Sequence, residues 1–291
     1  MLTRRLPSFN FPAASAADYL LNCALAPPGK TTFMPGFESL SLGVLLWVAV
    51  VMALAGFVQG ALGLGFPIVA TPLIALTTDM RSAVILVLLP CLATVTANIV
   101  KSGSLRQVLA EFWMMPFFML LGAAIGTRLF IAAPQFPYSL LLAAMIFAYL
   151  NLDRFGRTDW PLMRRWKKLF GALFGTAAGM SEGTANVAAP LLIIYYLGLG
   201  LTPAALVQAL NICFFMGKTT QFAILASAGG VSLTQWLVTL PLAVVATITV
   251  LHGVRIRSRI DAPTYRQWLK RALFIMALIL LVQYAHAKWF A

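Results

Sequence analysis

A single acid, Glu182, lies in a stretch of thirty-two residues from Leu169 to Gly200 that holds no other charge. An ionisable side chain in hydrocarbon is costly and normally faces a partner or a watery cavity, which makes Glu182 a candidate for function by default. The matching cation is Lys218, inside an otherwise uncharged run from about Pro203 to Ala226. Asn211, Phe214, Lys218 and Gln221 recur at helical spacing and share one face. A buried ammonium there could bind an anion directly or be neutralised by Glu182. Near a helix end it could instead snorkel to the interface. For Glu182, burial alone favours the neutral, proton-carrying acid, whereas a nearby Lys218 favours the carboxylate and a structural ion pair. Exclusion of wrong substrates is a third role open to it.

These side chains need elements to hold them at depth. As one helix the Glu182 stretch would be about 48 Å long, against a hydrocarbon core of about 30 Å. Gly179, Gly183 and Pro190 place the break near the acid. From Leu40 to Thr78 a second uncharged stretch of thirty-nine residues is also too long for one pass. Its middle holds Gly56, Gly60, Gly63, Gly65, Pro67 and Pro72, a set that permits close helix approach and a break. Broken helices expose backbone N–H groups whose partial positive charge suits an anion. The favoured cradle is the backbone around Gly63, Gly65 and Gly183, with Ser181, Thr184 and Asn186. The alternative at each of them is a small residue used only for packing. Gln59 and Asn98 sit at membrane depth without charge, where they line the same cavity or bond to a neighbouring helix.

The rest of the composition agrees. The chain has 291 residues, 61% apolar and 10% charged, with several uncharged runs long enough to cross a bilayer. A net charge of +13 raises the question of nucleic acid, but the basic residues gather between apolar runs, as positive-inside loops do. No nucleic-acid partner is expected. Cys23, Cys91 and Cys213 are isolated, without metal-type spacing, and read as small packing residues.

In order, residues 1–39 read as a poorly ordered or interfacial tail, 40–152 as a first membrane repeat, 153–168 as a basic cytoplasmic loop and 169–291 as a second repeat. Simple spans are expected over Ser82 to Val100, Phe112 to Thr127, about Phe136 to Leu152, Leu233 to Val254, and Ala272 to about Ala285. The loop from Asp153 to Lys168 holds six basic residues against Asp153 and Asp159, and Arg255 to Arg271 holds six against Asp261 alone. Both should be cytoplasmic, which needs an even number of crossings between them. A Glu182 stretch that enters and returns to the same side, as a re-entrant pair of half-helices, meets that need, and two short spans would have the same parity. This topology puts Lys101 and Arg106 inside and Arg128 and the amino-terminal tail outside.

The halves echo each other. Gly65 and Pro72 are seven apart, as are Gly183 and Pro190. Ser104-Leu105-Arg106-Gln107 matches Ser232-Leu233-Thr234-Gln235, and Gly126-Thr127-Arg128 matches Gly253-Val254-Arg255. One re-entrant element plus three spans per half makes the repeats inverted, a plan that recurs in transporters and holds substrate where the breaks meet. The expected fold class is an all-α polytopic membrane protein of two inverted repeats.

At Gly56-x-x-x-Gly60-x-x-Gly63-x-Gly65 followed by Pro72, the sequence resembles the TauE/SafE sulfite exporter family, over roughly residues 40 to 287. Two departures stand out: Phe66-Pro67 where the family commonly continues with glycines, and a second motif reduced to Gly179-Met180-Ser181-Glu182-Gly183-Thr184. The resemblance implies transport of sulfite, thiosulfate or an organosulfonate, often outward, across a bacterial inner membrane.

From the residues themselves, a secondary transporter of a small anion, coupled to protons or driven by membrane potential, is the leading reading. An anion channel and a transporter of a small carboxylate are the runners-up, and a membrane scaffold would show no flux. No Gly-x-x-x-x-Gly-Lys-Ser/Thr loop is present. His252 and His286 are the only histidines, far apart, and neither His-Glu-x-x-His nor another metal or nucleophile cluster occurs, so neither an enzyme nor a cofactor is expected. Gly and Ala on several faces would allow a homodimer.

Overall fold

The computed structural model describes residues 42–102, 105–133, 136–151, 161–229, 231, 233–256 and isolated positions between 267 and 282. The expected tail over 1–39, residues 152–160 of the first basic loop, Ser104 and Ser232 of the echoed tetrads, and most of the second basic segment and last span lie outside these residues. Among the described residues all regular structure is helical.

In the first half, α1 spans Leu42–Leu62, α2 Phe66–Ala75, α3 Met80–Ser102, α4 Leu105–Phe112, α5 Met114–Ala132 and α6 Tyr138–Leu150. After the basic loop come α7 (Pro161–Arg165), α8 (Lys167–Ala185), α9 (Ala189–Gly198), α10 (Pro203–Ser227) and α11 (Leu233–Ile256). Helices α1, α3, α5, α10 and α11 are long and apolar enough to cross a membrane. Local chemistry sets their starts. The Asp79 carboxylate accepts the N–H groups of Arg81 at 2.8 Å and Ser82 at 3.0 Å, satisfying donors that α3 leaves open. Thr202 caps α10 ahead of Pro203, whose missing N–H costs nothing at a helix start. Leu42, Leu46, Val50 and Leu54 on α1, Phe117, Leu121 and Ile125 on α5, and Val244 and Ile248 on α11 form exposed stripes at one-turn spacing, the pattern of lipid-facing surfaces.

Both overlong stretches break and fold back. The first bends at Gly63 and Gly65, whose φ values of 81° and 112° favour glycine. Trp47 Nε1 then donates to the Leu73 carbonyl at 3.2 Å, so the end of α2 lies beside the start of α1. The second bends over Asn186–Ala188, and the Tyr195 hydroxyl donates to the Lys167 carbonyl at 3.0 Å, closing α8 and α9 the same way. Each element therefore returns to the side it entered from, as a re-entrant pair does.

Two details of the sequence reading are corrected. Gly179 and Gly183 lie inside α8 and do not break it; Asn186 does, at φ 60°. Pro67 and Pro190 are the second residues of α2 and α9, whereas Pro72 lies within α2. The structural register thus matches Gly60 and Pro67, not Gly65 and Pro72, to Gly183 and Pro190. Proline at a helix start needs no bond partner, which makes Pro67 and Pro190 natural first-turn residues.

The glycines of the long arms serve contact between helices. A Cβ on Gly179 would overlap the Met119 carbonyl and one on Gly183 would lie 2.6 Å from the Thr127 nitrogen, so α8 and α5 touch backbone to backbone. Gly122 and Gly126 meet Thr176 and Met180 from the other side. In the same manner Gly56 and Gly60 of α1 meet Ala246 and Val250 of α11, and Gly253 meets Phe57. Gly126 and Gly253, echoed in sequence, hold corresponding places. Residue numbers rise together in both contacts, so each pair is parallel, and each half clasps the hairpin of the other. Within lipid no hydrophobic force drives helices together, and such small-residue seams supply the packing instead.

Charge sorts the two ends. The short helix α4 follows Lys101 and Arg106, and its Glu111 pairs with Lys167 at 3.6 Å, which places Lys101, Arg106, Arg164, Arg165, Lys167 and Lys168 on one face. Arg255, at the end of α11, falls there as well, because α11 runs parallel to α1 toward that face. Asp79, Arg81 and Arg128 sit at the other end, where Arg81 donates to the Phe130 carbonyl at 2.5 Å. A basic face of this kind is the one that the positive-inside rule associates with the cytoplasm.

Candidate functional site

Helix α10 runs past both breaks and carries the site. Lys218 and Glu182 are each fully buried, with Nζ and Oε1 2.8 Å apart. Lys218 Nζ also donates to Asn186 Oδ1 at 2.5 Å and to Gln221 Oε1 at 3.0 Å. Two of the ammonium's protons have amide acceptors, while the Glu182 carboxylate meets it as an ion pair whose Oε1 lies outside hydrogen-bond geometry. Asn186 Nδ2 donates in turn to the Val84 carbonyl at 3.2 Å and to Thr71 Oγ1 at 3.4 Å, which ties the centre to the first half. Gln221 Nε2 donates to the Gly183 carbonyl at 3.2 Å. Burial excludes the snorkelling reading of Lys218.

The first break is built from neutral groups. Gln59 Nε2 donates to Asn211 Oδ1 at 2.9 Å, and Asn211 Nδ2 donates to the Gly63 carbonyl at 2.7 Å. Asn98 Nδ2 donates to the Gln59 carbonyl at 3.1 Å. Gln59 and Glu182 occupy equivalent places. From the last turns of their long helices, Gln59 Oε1 accepts the Phe66 N–H at 2.9 Å and Glu182 Oε2 accepts the Ala188 N–H at 3.1 Å. Each side chain reaches across its own break to a donor at the start of the short helix, as a capping residue does. The difference is charge: an amide at one break, a carboxylate with its ammonium at the other.

Of the residues expected from sequence, Glu182, Asn186, Lys218 and Gln221 thus converge on one centre, and Gln59, Gly63, Asn98 and Asn211 on the adjoining one. Gly65 belongs to the first break through its backbone. Gly183 contributes a carbonyl, an acceptor and not an anion-binding donor. Ser181 and Thr184 face elsewhere and line a cavity of about 410 Å³ with Leu129, Ala133 and Tyr138. Thr184 Oγ1 is spent on the Met180 carbonyl at 2.7 Å. Helical periodicity explains the split, since residues 181 and 184 lie on a different face of α8 from residue 182. Sequence reasoning did not find Thr71, which meets Asn186 across the halves; a threonine in an apolar helix carries no signal of that long-range contact.

Asn186 is the pivot. Its left-handed backbone suits asparagine or glycine, and its side chain makes bonds to both halves. Asn186→Ala is expected to lower stability by about 3 kcal/mol, from lost bonds to a buried charge and a strained φ. Asn186→Gly should recover about 1 kcal/mol of that by relieving the backbone alone. Thermal unfolding of the detergent-solubilised variants measures both, and an Ala variant as stable as the parent would contradict the pivot.

Two helical hairpins broken at a buried polar centre, enclosed by apolar helices with lipid-facing stripes, define a multi-pass membrane protein on the plan of secondary transporters. A family model described as sulfite exporter TauE/SafE matches residues 48–284, and the chain belongs to that family, whose members are transporters and not enzymes. No curated protein and no solved structure matches it.

Proposed function

We propose that the protein is a proton-coupled secondary transporter, built as two inverted repeats, that exports sulfite or a small organosulfonate across the bacterial inner membrane. The observation that carries this reading is the fully buried Glu182–Lys218 pair at the second break. Lys218 is the only described cation in that centre, and its ammonium is hydrogen-bonded to Asn186 and Gln221 and ion-paired with Glu182. An anion binds when the carboxylate yields its place on Nζ. Protonation of Glu182 removes its charge, and a monovalent anion then replaces the carboxylate as the partner of the Lys218 ammonium. The centre is neutral both before and after the exchange, so neither end state leaves an unpaired buried charge. Asn186 and Gln221 hold the ammonium in position during the exchange. One proton accompanies one monovalent anion in the same direction, an electroneutral step that couples the two gradients, with export drawing on the anion's own outward gradient.

The test is flux of radiolabelled sulfite and sulfoacetate in vesicles containing the purified protein, with and without an imposed pH gradient. Saturable flux driven uphill by the gradient is the expected result. Flux that follows only the anion's own gradient would replace the transporter with a channel. Transport of small carboxylates without sulfonates would move the substrate class.

A further inference from the structure

Gln208 on α10 is fully buried, and neither its amide nitrogen nor its amide oxygen has a hydrogen-bond partner. Most buried polar atoms in native proteins are paired, so a side chain with both ends open needs a reason. Its position supplies one. Ala205, one turn earlier on the same helix, lines a pocket of about 390 Å³ on the basic face, together with Glu111, Phe112, Arg164, Lys167 and Gly200. Asn211, one turn later, holds the first break. From Ala205 through Gln208 and Asn211 to Lys218, α10 covers about 20 Å between that pocket and the buried ammonium.

The pocket itself favours anions. Arg164 and Lys167 outnumber Glu111, and Lys167 is steadied by Glu111 at 3.6 Å and by the Phe112 ring, 5.3 Å from its centroid. Gly200, at φ 77°, lets the Arg164 guanidinium close over the chain, since a Cβ there would lie 3.0 Å from it. A concave site with net positive charge raises the local concentration of anions.

We propose that this pocket is the cytoplasmic antechamber of the anion path and that Gln208 is the first buried contact beyond it, determining which anions proceed to Lys218. The assignment rests on the transport reading above. The Gln208 amide offers two N–H donors to sulfite or sulfonate oxygens and a carbonyl to a hydroxyl, without a charge. A neutral donor holds an anion less tightly than an ammonium, so the anion is handed on and not trapped.

The experiment uses the full chain with Cys23, Cys91 and Cys213 replaced by alanine and Gln208→Cys added, in oriented vesicles. Sulfonatoethyl methanethiosulfonate, an anionic thiol reagent, and its trimethylammonium counterpart are applied from each side. The anionic reagent is expected to react from the basic face at least about tenfold faster than the cationic one, and Arg164→Gln with Lys167→Gln to slow it by about tenfold. Sulfoacetate, whose sulfonate does not consume the reagent, should protect. No modification, or modification mainly from the opposite face, overturns the assignment. Gln208→Leu supplies the second readout: removing an unmet amide should leave the unfolding temperature equal or higher while sulfite flux falls by about tenfold or more. Undiminished flux in that variant overturns the contact role. If the parent protein carries no sulfite while Gln208→Cys reacts as expected, the substrate reading fails and the antechamber stands; normal flux without labelling gives the reverse.

Discussion

Lys218→Met is expected to abolish transport and to destabilise the fold by about 3–5 kcal/mol, because it strands the fully buried Glu182 carboxylate without its cation. Its remaining bond to the Ala188 N–H cannot replace an ammonium 2.8 Å away. Asn186 and Gln221 would also lose the proton donor on which their acceptor atoms converge. The double variant Glu182→Gln/Lys218→Met separates folding from function. Replacing both members of a buried pair by neutral groups is often neutral or stabilising, so unfolding should return to within about 1 kcal/mol of the parent. Transport should stay absent, because no cation remains to meet the anion. Recovery of flux in the double variant would show that the pair serves only packing.

Glu182→Gln is expected to remove the pH dependence of transport, the second large effect. The amide is a permanent neutral stand-in for the protonated acid and can still accept from Ala188 N–H. It leaves Lys218 with Asn186 and Gln221, so anion binding should persist while a pH gradient no longer drives uphill flux. Measured as sulfite uptake with and without the imposed gradient, the ratio between the two conditions should fall to about one, a loss of all coupling energy. Unchanged pH dependence in a folded variant would remove Glu182 from the proton path. Stability is expected to drop as well, since the ammonium loses the anionic partner it has among the described residues, and the folded fraction must be measured in the same preparation.

Gln59 and Glu182 occupy equivalent places at breaks that differ in charge. Both side chains satisfy a donor at the start of a short helix, which is a structural need common to any broken helix. Only the second also carries a charge, the one that the proposed exchange gives up to substrate. At the neutral break Gln59 and Asn211 bond to each other and Asn98 and Asn211 to backbone carbonyls, with no charged group among them.

Much of this was legible in the chain. Stretches too long and too apolar for one pass can only break, because the bilayer has a fixed thickness and every backbone group must be satisfied inside it. Isolated ionisable residues in such stretches announce their own cost, which is why Glu182 and Lys218 stand out. The basic loops order the ends, since that bias depends on local composition and not on packing. The shared face of Asn211, Lys218 and Gln221 follows from helical periodicity.

Tertiary structure alone decided the rest. Glycine in a membrane helix can break it or let a neighbour approach, and only the neighbour tells which; Gly183 meets Thr127 of α5, and so packs, while Gly63 turns the chain. Pairing of Asn186 with Thr71 and Val84 joins residues more than a hundred positions apart, a contact that no local pattern encodes. Ser181 and Thr184 adjoin Glu182 in sequence yet face a different cavity. Gln208 looks like any polar residue in a helix until its neighbours are known. Composition and periodicity determine where a polar group is in depth and on which face; what it meets there is settled by how the two halves clasp each other.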